Sequence, residues 1–184
     1  KKPHLDCIFA LNNHRMKILD AEAIRAIDSY TIAHEPVSSA DLMERAARAC
    51  FVWIRRRFRE KRNAMIFCGM GNNGGDGLAL ARMLAGSGIH TQVIKLAHTS
   101  GASTDYLHNE KRLHGVKNLS QTTLNPSDSF PAISPDYLVI DTIFGSGLNR
   151  NPEGFLAEVI QHINHSGALV VSIDMPSGLF CNGN

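Results

Sequence analysis

The chain has 184 residues, of which 43% are hydrophobic and 20% are charged. These values are typical of one soluble globular domain with a substantial core, and the formal net charge of +2 indicates no preference for an acidic partner. No stretch approaches the roughly 18 apolar residues that a membrane-spanning helix needs, so we expect no membrane association. The cysteines are widely spaced without a CxxC pair, which predicts a reducing, cytoplasmic location and no disulfide framework: Cys7, Cys50, Cys68 and Cys181.

The first sixteen residues carry two lysines and a brief apolar patch, but neither the apolar core nor the cleavage site of a signal peptide. We interpret residues 1–16 as an upstream or disordered segment and residues 17–184 as one domain. A helix is predicted after Asp20, its N-cap, and a second from about Asp41 to Phe58, capped by Ser38. The second helix ends in a run of arginines, which the helix dipole favours. We interpret that run as a solvated helix end and expect no nucleic acid.

Strand and helix patterns alternate after residue 63. Short apolar runs predict parallel strands, and the segments between them predict helices, one of which runs through Leu78 and stops at Gly86 or Gly88. The polar stretch 118–136 is expected to be a loop with one short edge strand, and Pro152 is expected in the first turn of the last helix. This order predicts an α/β/α sandwich with a mainly parallel central sheet and helices on both faces. The predicted strands are 64–68, 91–97, 137–141 and 168–174.

Three of the predicted strands end in loops that combine an aspartate with glycine: 69–77, 141–151 and 174–178. Parallel strands bring their carboxyl ends to one edge of the sheet, where ligands bind in doubly wound folds. We therefore expect these three loops to form a single site.

The first of these loops matches GxGxxG at Gly69, Gly71 and Gly74, but no acidic residue for a ribose ends the next strand, and no Gly-Lys-Ser/Thr follows. Backbone amides without side chains, near the start of a helix expected close to Leu78, make an anion site suited to phosphate. The amides of Asn72 and Asn73 add donors and acceptors. The Asp76 carboxylate would repel phosphate, so it is expected to face a ribose or to cap the helix.

Oxygen donors recur in the same loops. Asp141, Ser177 and Asn73 carry oxygen atoms that suit a hard cation, and a single charge among them favours a monovalent ion over Mg²⁺. The alternative for Asp141 is a helix cap. Asp174 is the last residue of an apolar predicted strand, so we expect it to be partly desolvated, which would raise its pKa toward the range useful for acid–base chemistry.

The segments GMGNNGGDGLALAR, VIDTIFGSGLNR and SIDMPSGL, in this order and spacing, resemble the YjeF N-terminal family, the NAD(P)H-hydrate epimerases. The resemblance covers about residues 17–182 and implies a Rossmann-like fold, a homodimer, and further strands after the PSGL segment. It implies one K⁺ per subunit, at Asn73, Asp141 and Ser177. It also implies functional coupling to an S-specific NAD(P)H-hydrate dehydratase, which is fused in some members. The residues it assigns to the substrate are Asn72, Asn73, Gly74, Gly75, Asp76, Gly145, Ser146, Gly147, Leu148, Asn149, Arg150, Asn151 and Asp174.

The implied reaction inverts C6 of hydrated NADH or NADPH, which carries a hydroxyl next to the ring nitrogen. Inversion by ring opening or through loss and return of water needs a proton carrier at that oxygen, and our candidate is Asp174. The alternative is a non-catalytic nucleotide- or RNA-binding dimerisation module of the same fold. A dehydrogenase is disfavoured because the ribose carboxylate is missing after the second strand.

Overall fold

The computed structural model of the chain describes residues 19–181. Five strands form one sheet in the order β3-β2-β1-β4-β5, and all four pairings are parallel. The predicted α/β class is confirmed, while the predicted segment 1–16 and Cys7 lie outside the described residues. The strands are β1 (Asn63–Cys68), β2 (His90–Leu96), β3 (Leu119–Leu124), β4 (Leu138–Thr142) and β5 (Leu169–Ser172). The helices are α1 (Ala21–His34), α2 (Ser39–Arg57), α3 (Asn72–Gly86), α4 (Thr104–Lys111) and α5 (Gly154–His165).

The side chains of β1 alternate between two cores, one on each face of the sheet. Ala64, Ile66 and Cys68 join the core formed with α2, α3 and α4. Met65 and Phe67 join the core that includes residues of α5. Because successive side chains of a strand point to opposite faces, this buried five-residue run produces the predicted three-layer sandwich.

The caps of the first two helices are those predicted from sequence. Asp20 accepts a hydrogen bond from the backbone N–H of Ala23 at 2.8 Å, and Ser38 accepts one from the N–H of Asp41 at 3.1 Å. The edge strand expected within 118–136 is β3. Within residues 19–181 no helix is long and apolar enough to cross a membrane, and the three cysteines in this range are free.

Three predicted boundaries are wrong. Helix α3 begins at Asn72, not near Leu78, because extended Gly71 is its N-cap and the glycines that follow continue the helix. Pro152 lies before Glu153, the N-cap of α5, and therefore outside the helix. The last strand ends at Ser172, because the chain turns sharply through Asp174, whose φ is 64°.

Close backbone packing holds α3 against β1. A Cβ atom at Gly74 would overlap the backbone carbonyl of Gly69, and a Cβ atom at Gly69 would overlap the carbonyl of Ile143. Both obstacles are backbone atoms, which no rotamer change can move. These glycines therefore allow the first turn of α3 to lie directly beside the ends of β1 and β4.

We predict that Gly74→Ala lowers the free energy of unfolding by about 2 to 3 kcal/mol, as overpacking against backbone does. The matched control is Gly86→Ala at the other end of the same helix, where an added methyl group meets no atom within 4 Å. That control is expected to raise stability by about 0.5 kcal/mol, because alanine favours helix. Urea unfolding of the three proteins measures both changes, and equal stability of Gly74→Ala and wild type would contradict the packing argument.

Candidate functional site

A cleft of about 1250 Å³ opens at the carboxyl end of the sheet. It lies where β1 and β4 are neighbours although β2 and β3 separate them in the chain, which is the switch point of the strand order. The loops that follow β1, β4 and β5 all contribute to its lining, as the sequence predicts.

Asn73, in the first turn of α3, connects the other two loops. Its Nδ2 donates to the backbone carbonyl of Phe144 at 2.6 Å and to that of Ile173 at 3.2 Å. Its side chain is 9% exposed, and its Oδ1 is buried with no hydrogen-bond partner among the described residues. A buried amide oxygen without a donor is costly, so this atom is available to a ligand.

Asp141, near the end of β4, is buried and fully hydrogen bonded. Its Oδ1 accepts from the Ser177 hydroxyl at 2.6 Å and from the N–H of Ile143 at 3.1 Å. Its Oδ2 accepts from the N–H of Ser177 at 2.9 Å and from the Ser172 hydroxyl at 3.0 Å. The alternative role as a helix cap is excluded, because α5 begins at Gly154.

The three predicted cation ligands are joined through one backbone segment. The Ser177 hydroxyl accepts from the N–H of Phe144 at 3.0 Å, while the carbonyl of Phe144 accepts from Asn73. The donors are an amide oxygen, a hydroxyl and one carboxylate, which fit a hard ion of low charge. The unpartnered Oδ1 of Asn73 is the structural observation that favours a cation here.

Asp174 lies on the cleft surface, in the turn after β5. Its Oδ2 accepts a hydrogen bond from the N–H of Ser146 at 2.6 Å, and Gly145 leaves the space in which this carboxylate sits. The expectation of a desolvated carboxylate is wrong, because the residue is exposed. The strand that would have buried it ends two residues earlier.

Asp76 is the desolvated carboxyl of the site. It lies in the second turn of α3, so it cannot cap that helix, and the capping role expected from sequence is wrong. Burial raises the pKa of Asp76 to about 7, and the negative charges of Asp174, Asp105 and Asp28 contribute in the same direction. This carboxyl therefore exchanges a proton near neutral pH.

The other predicted substrate residues divide into two groups. Residues 145–151 line the cleft together with Asn72. Gly74 and Gly75 are buried behind its wall: Gly75 packs against Met43 and the backbone of Tyr106. Both contribute only backbone to the first turn of α3.

Sequence reasoning missed Ser172 and two outer walls of the cleft. Ser172 donates to Asp141, and the available signal for it was its own polar side chain within the apolar run of VVSID. The outer walls come from helices α1 and α2 and from the segment after β2, and no local pattern reveals them. They include Ile24, Arg25, Asp28, Cys50, His98 and Thr99.

Comparison with known proteins matches residues 39–184 to the family model described as YjeF-related protein N-terminus. The chain belongs to this family. The NAD(P)H-hydrate epimerase of Limosilactobacillus reuteri (strain DSM 20016) is 36% identical over 165 residues, which cover 89% of this chain and 74% of the relative. The bifunctional NAD(P)H-hydrate repair enzyme Nnr of Dictyoglomus turgidum (strain DSM 6724 / Z-1310) is 34% identical over 166 residues, which cover 89% of this chain and 32% of that protein.

The family fold also occurs in a crystal structure of the yeast protein YNL200c. It matches with a TM-score of 0.76 and 20% identity, over 89% of this chain and 72% of the yeast chain. This similarity supports the α/β architecture on grounds independent of the sequence motifs.

We predict that Asp76→Asn changes how stability depends on pH. Between about pH 4 and pH 7 the folded state keeps a proton on Asp76 that the unfolded chain releases, so the stability contributed by this group falls as the pH rises. A pKa difference of about 3 units corresponds to about 4 kcal/mol. Urea unfolding at pH 4.5 and pH 8 should therefore show the variant gaining a few kcal/mol over wild type at the higher pH. If the free energies of unfolding of the variant and the wild type differed by the same amount at pH 4.5 and at pH 8, that result would contradict the burial of this carboxyl.

Proposed function

We propose that this protein is an NAD(P)H-hydrate epimerase, which interconverts the R and S epimers of hydrated NADH and NADPH at C6 of the nicotinamide ring. The observation that carries the proposal is the cleft at the switch point, into which the NNGGD segment and the loops after β4 and β5 converge. Family membership and the activity named for the relatives support it.

The first turn of α3 is suited to the phosphates of the substrate. Gly71 caps this helix without a side-chain hydrogen bond, and the first intrahelical bond in this turn comes from the N–H of Gly75. The N–H groups of Asn72, Asn73 and Gly74 therefore have no partner within the helix and present the positive end of its dipole. The loop 145–151 would cover the rest of the dinucleotide.

A K⁺ ion would be held by Asn73, Asp141 and Ser177, one per subunit. It would supply positive charge where these loops meet. The Oδ1 of Asn73 would gain the partner it lacks, and the hydroxyl of Ser177, which donates to Asp141 and accepts from Phe144, keeps a second lone pair. The ion would thus stabilise the arrangement of the three loops around the substrate.

Asp174 is the proposed proton carrier at the C6 hydroxyl. It is exposed on the cleft surface, and the N–H of Ser146 fixes the orientation of its carboxylate. C6 is bonded to both a hydroxyl and the ring nitrogen, so moving one proton at that oxygen is enough to start either ring opening or loss of water.

The protein is proposed to act as a homodimer in the cytoplasm, together with an S-specific dehydratase. The free cysteines favour a reducing compartment. The bifunctional relative carries its repair activities in one polypeptide, which supports coupling to a dehydratase.

We predict that the protein accelerates recovery of NADH from an R-enriched pool of hydrated NADH when an S-specific dehydratase is in excess. Asp174→Asn should lower this rate by at least about 100-fold, as the loss of an acid–base group does. Asp136→Asn, an exposed aspartate outside the cleft, should retain it. Absence of acceleration by the wild type, together with binding of single-stranded RNA, would favour the non-catalytic module.

We predict that KCl raises the melting temperature of the protein more than LiCl at equal ionic strength, because an ion that binds only the folded state stabilises it. Ser177→Ala should lose this difference between the two salts. The control Ser120→Ala, at an exposed position of β3, should keep it. Identical melting temperatures in KCl and LiCl would contradict a K⁺ site.

A further inference from the structure

Among the described residues that line the cleft, Asp76 is the one whose pKa is raised by burial with no hydrogen bond to offset the effect. It is half-buried in α3, and no described residue donates a hydrogen bond to it. Asp141, by contrast, accepts four such bonds, and Asp174 accepts one from Ser146. A buried carboxyl without donors favours its protonated form, so its chemical role differs from that of the other two.

The charges that act on Asp76 come from three different elements, and they are negative. Asp28 belongs to α1, Asp105 to α4 and Asp174 to the loop after β5, and all three raise the pKa of Asp76. Cys50 of α2 is also close, since the Asp76 carboxylate adds to the effect of burial in raising the pKa of that thiol. The lining of the cleft also includes Arg25, His98 and Arg150, but none of them lowers the pKa of Asp76.

We propose that Asp76 is a second catalytic residue, the acid of a carboxyl pair whose other member is Asp174. The two groups lie on different walls of one cleft, α3 and the loop after β5, and they are close enough for the negative charge of Asp174 to act on the Asp76 carboxyl. Inversion at C6 through loss and return of water needs a proton donor on one face of the ring and an acceptor on the other. Two carboxyls with different environments supply both roles. The inference rests on the proposed epimerase activity.

In one direction of the reaction, a proton moves from Asp76 to Asp174. Asp76 gives its proton to the C6 hydroxyl oxygen; the C6–O bond breaks, its electron pair leaves with water, and the N1 lone pair forms the C6=N1 bond of an iminium ion. A second water molecule attacks C6 from the opposite face, the C=N electron pair returns to N1, and the Asp174 carboxylate takes the proton that this water releases. One water leaves and one enters, one proton moves from Asp76 to Asp174, and nothing is oxidised or reduced. The opposite direction returns the proton to Asp76.

Because one proton must reside on the pair, activity should fall when the pair loses it. The coupled dehydratase assay, run from pH 6 to pH 9 with the dehydratase in excess and a protein-free blank, should show a wild-type kcat that decreases as the pH rises through about 7. Asp76→Asn should lower kcat by about 100-fold or more, change KM much less, and remove this decrease.

A control outside the cleft keeps the test decisive if Asp76→Asn folds poorly. Asp105 of α4 accepts a hydrogen bond from Ser39 and raises the pKa of Asp76 from a distance. Asp105→Asn should therefore leave the maximal kcat unchanged. It should lower the pH at which kcat falls by about 0.2 to 0.5 unit.

Three outcomes would be informative. If the wild type gives no acceleration, the epimerase proposal itself fails. If the wild type is active, and a folded Asp76→Asn variant has the wild-type kcat and shows the same fall in kcat near pH 7, the proposed role of Asp76 is overturned. The same conclusion follows if Asp105→Asn leaves the pH profile unmoved.

Discussion

The buried carboxylate of Asp141 is the interaction on which the rest of the site depends. A charge at 6% exposure at the end of a central strand would be strongly destabilising unless it were fully hydrogen bonded. Its four donors come from the end of β5, the turn that follows β5, and the exit of β4. Satisfying this one group therefore fixes the positions of two loops relative to each other. The cleft exists because those loops cannot move independently.

The third loop is held by a different constraint. Helix α3 starts inside the site, and glycine at positions 69 and 74 lets its backbone lie against β1 and the exit of β4. Asn73 then completes the junction with two hydrogen bonds from one amide nitrogen. The arrangement uses its amide hydrogens for structure and leaves its oxygen free. The same residue can thus hold the fold together and present an atom to a ligand.

The fold could be predicted from the sequence because its signals are local. Apolar runs predicted four of the five described strands within a few residues, and Asp20 and Ser38 predicted two helix caps. The convergence of three strand exits followed from parallel topology alone.

The predictions failed where packing between distant segments overrides the local preference of the sequence. Consecutive glycines disfavour a helix in isolation, yet residues 72–77 are helical because close packing on β1 requires residues without side chains. The walls supplied by α1 and α2 depend on long-range packing and leave no periodic signal.

The three aspartates of the site show how one side-chain type acquires different functions. Asp141 is buried and accepts four hydrogen bonds, which fix the carboxylate in the position where it would hold the proposed K⁺. Asp174 is exposed with one backbone donor, which orients it at the surface of the cleft. Asp76 is half-buried without a donor and has three carboxylates near it, which raise its pKa to about 7 together with burial. The sequence predicts burial of Asp174 because it places that residue in a strand, whereas the strand ends at Ser172 and Asp174 is exposed. What distinguishes a structural from a reactive carboxylate here is the supply of hydrogen-bond donors, which only the three-dimensional arrangement determines.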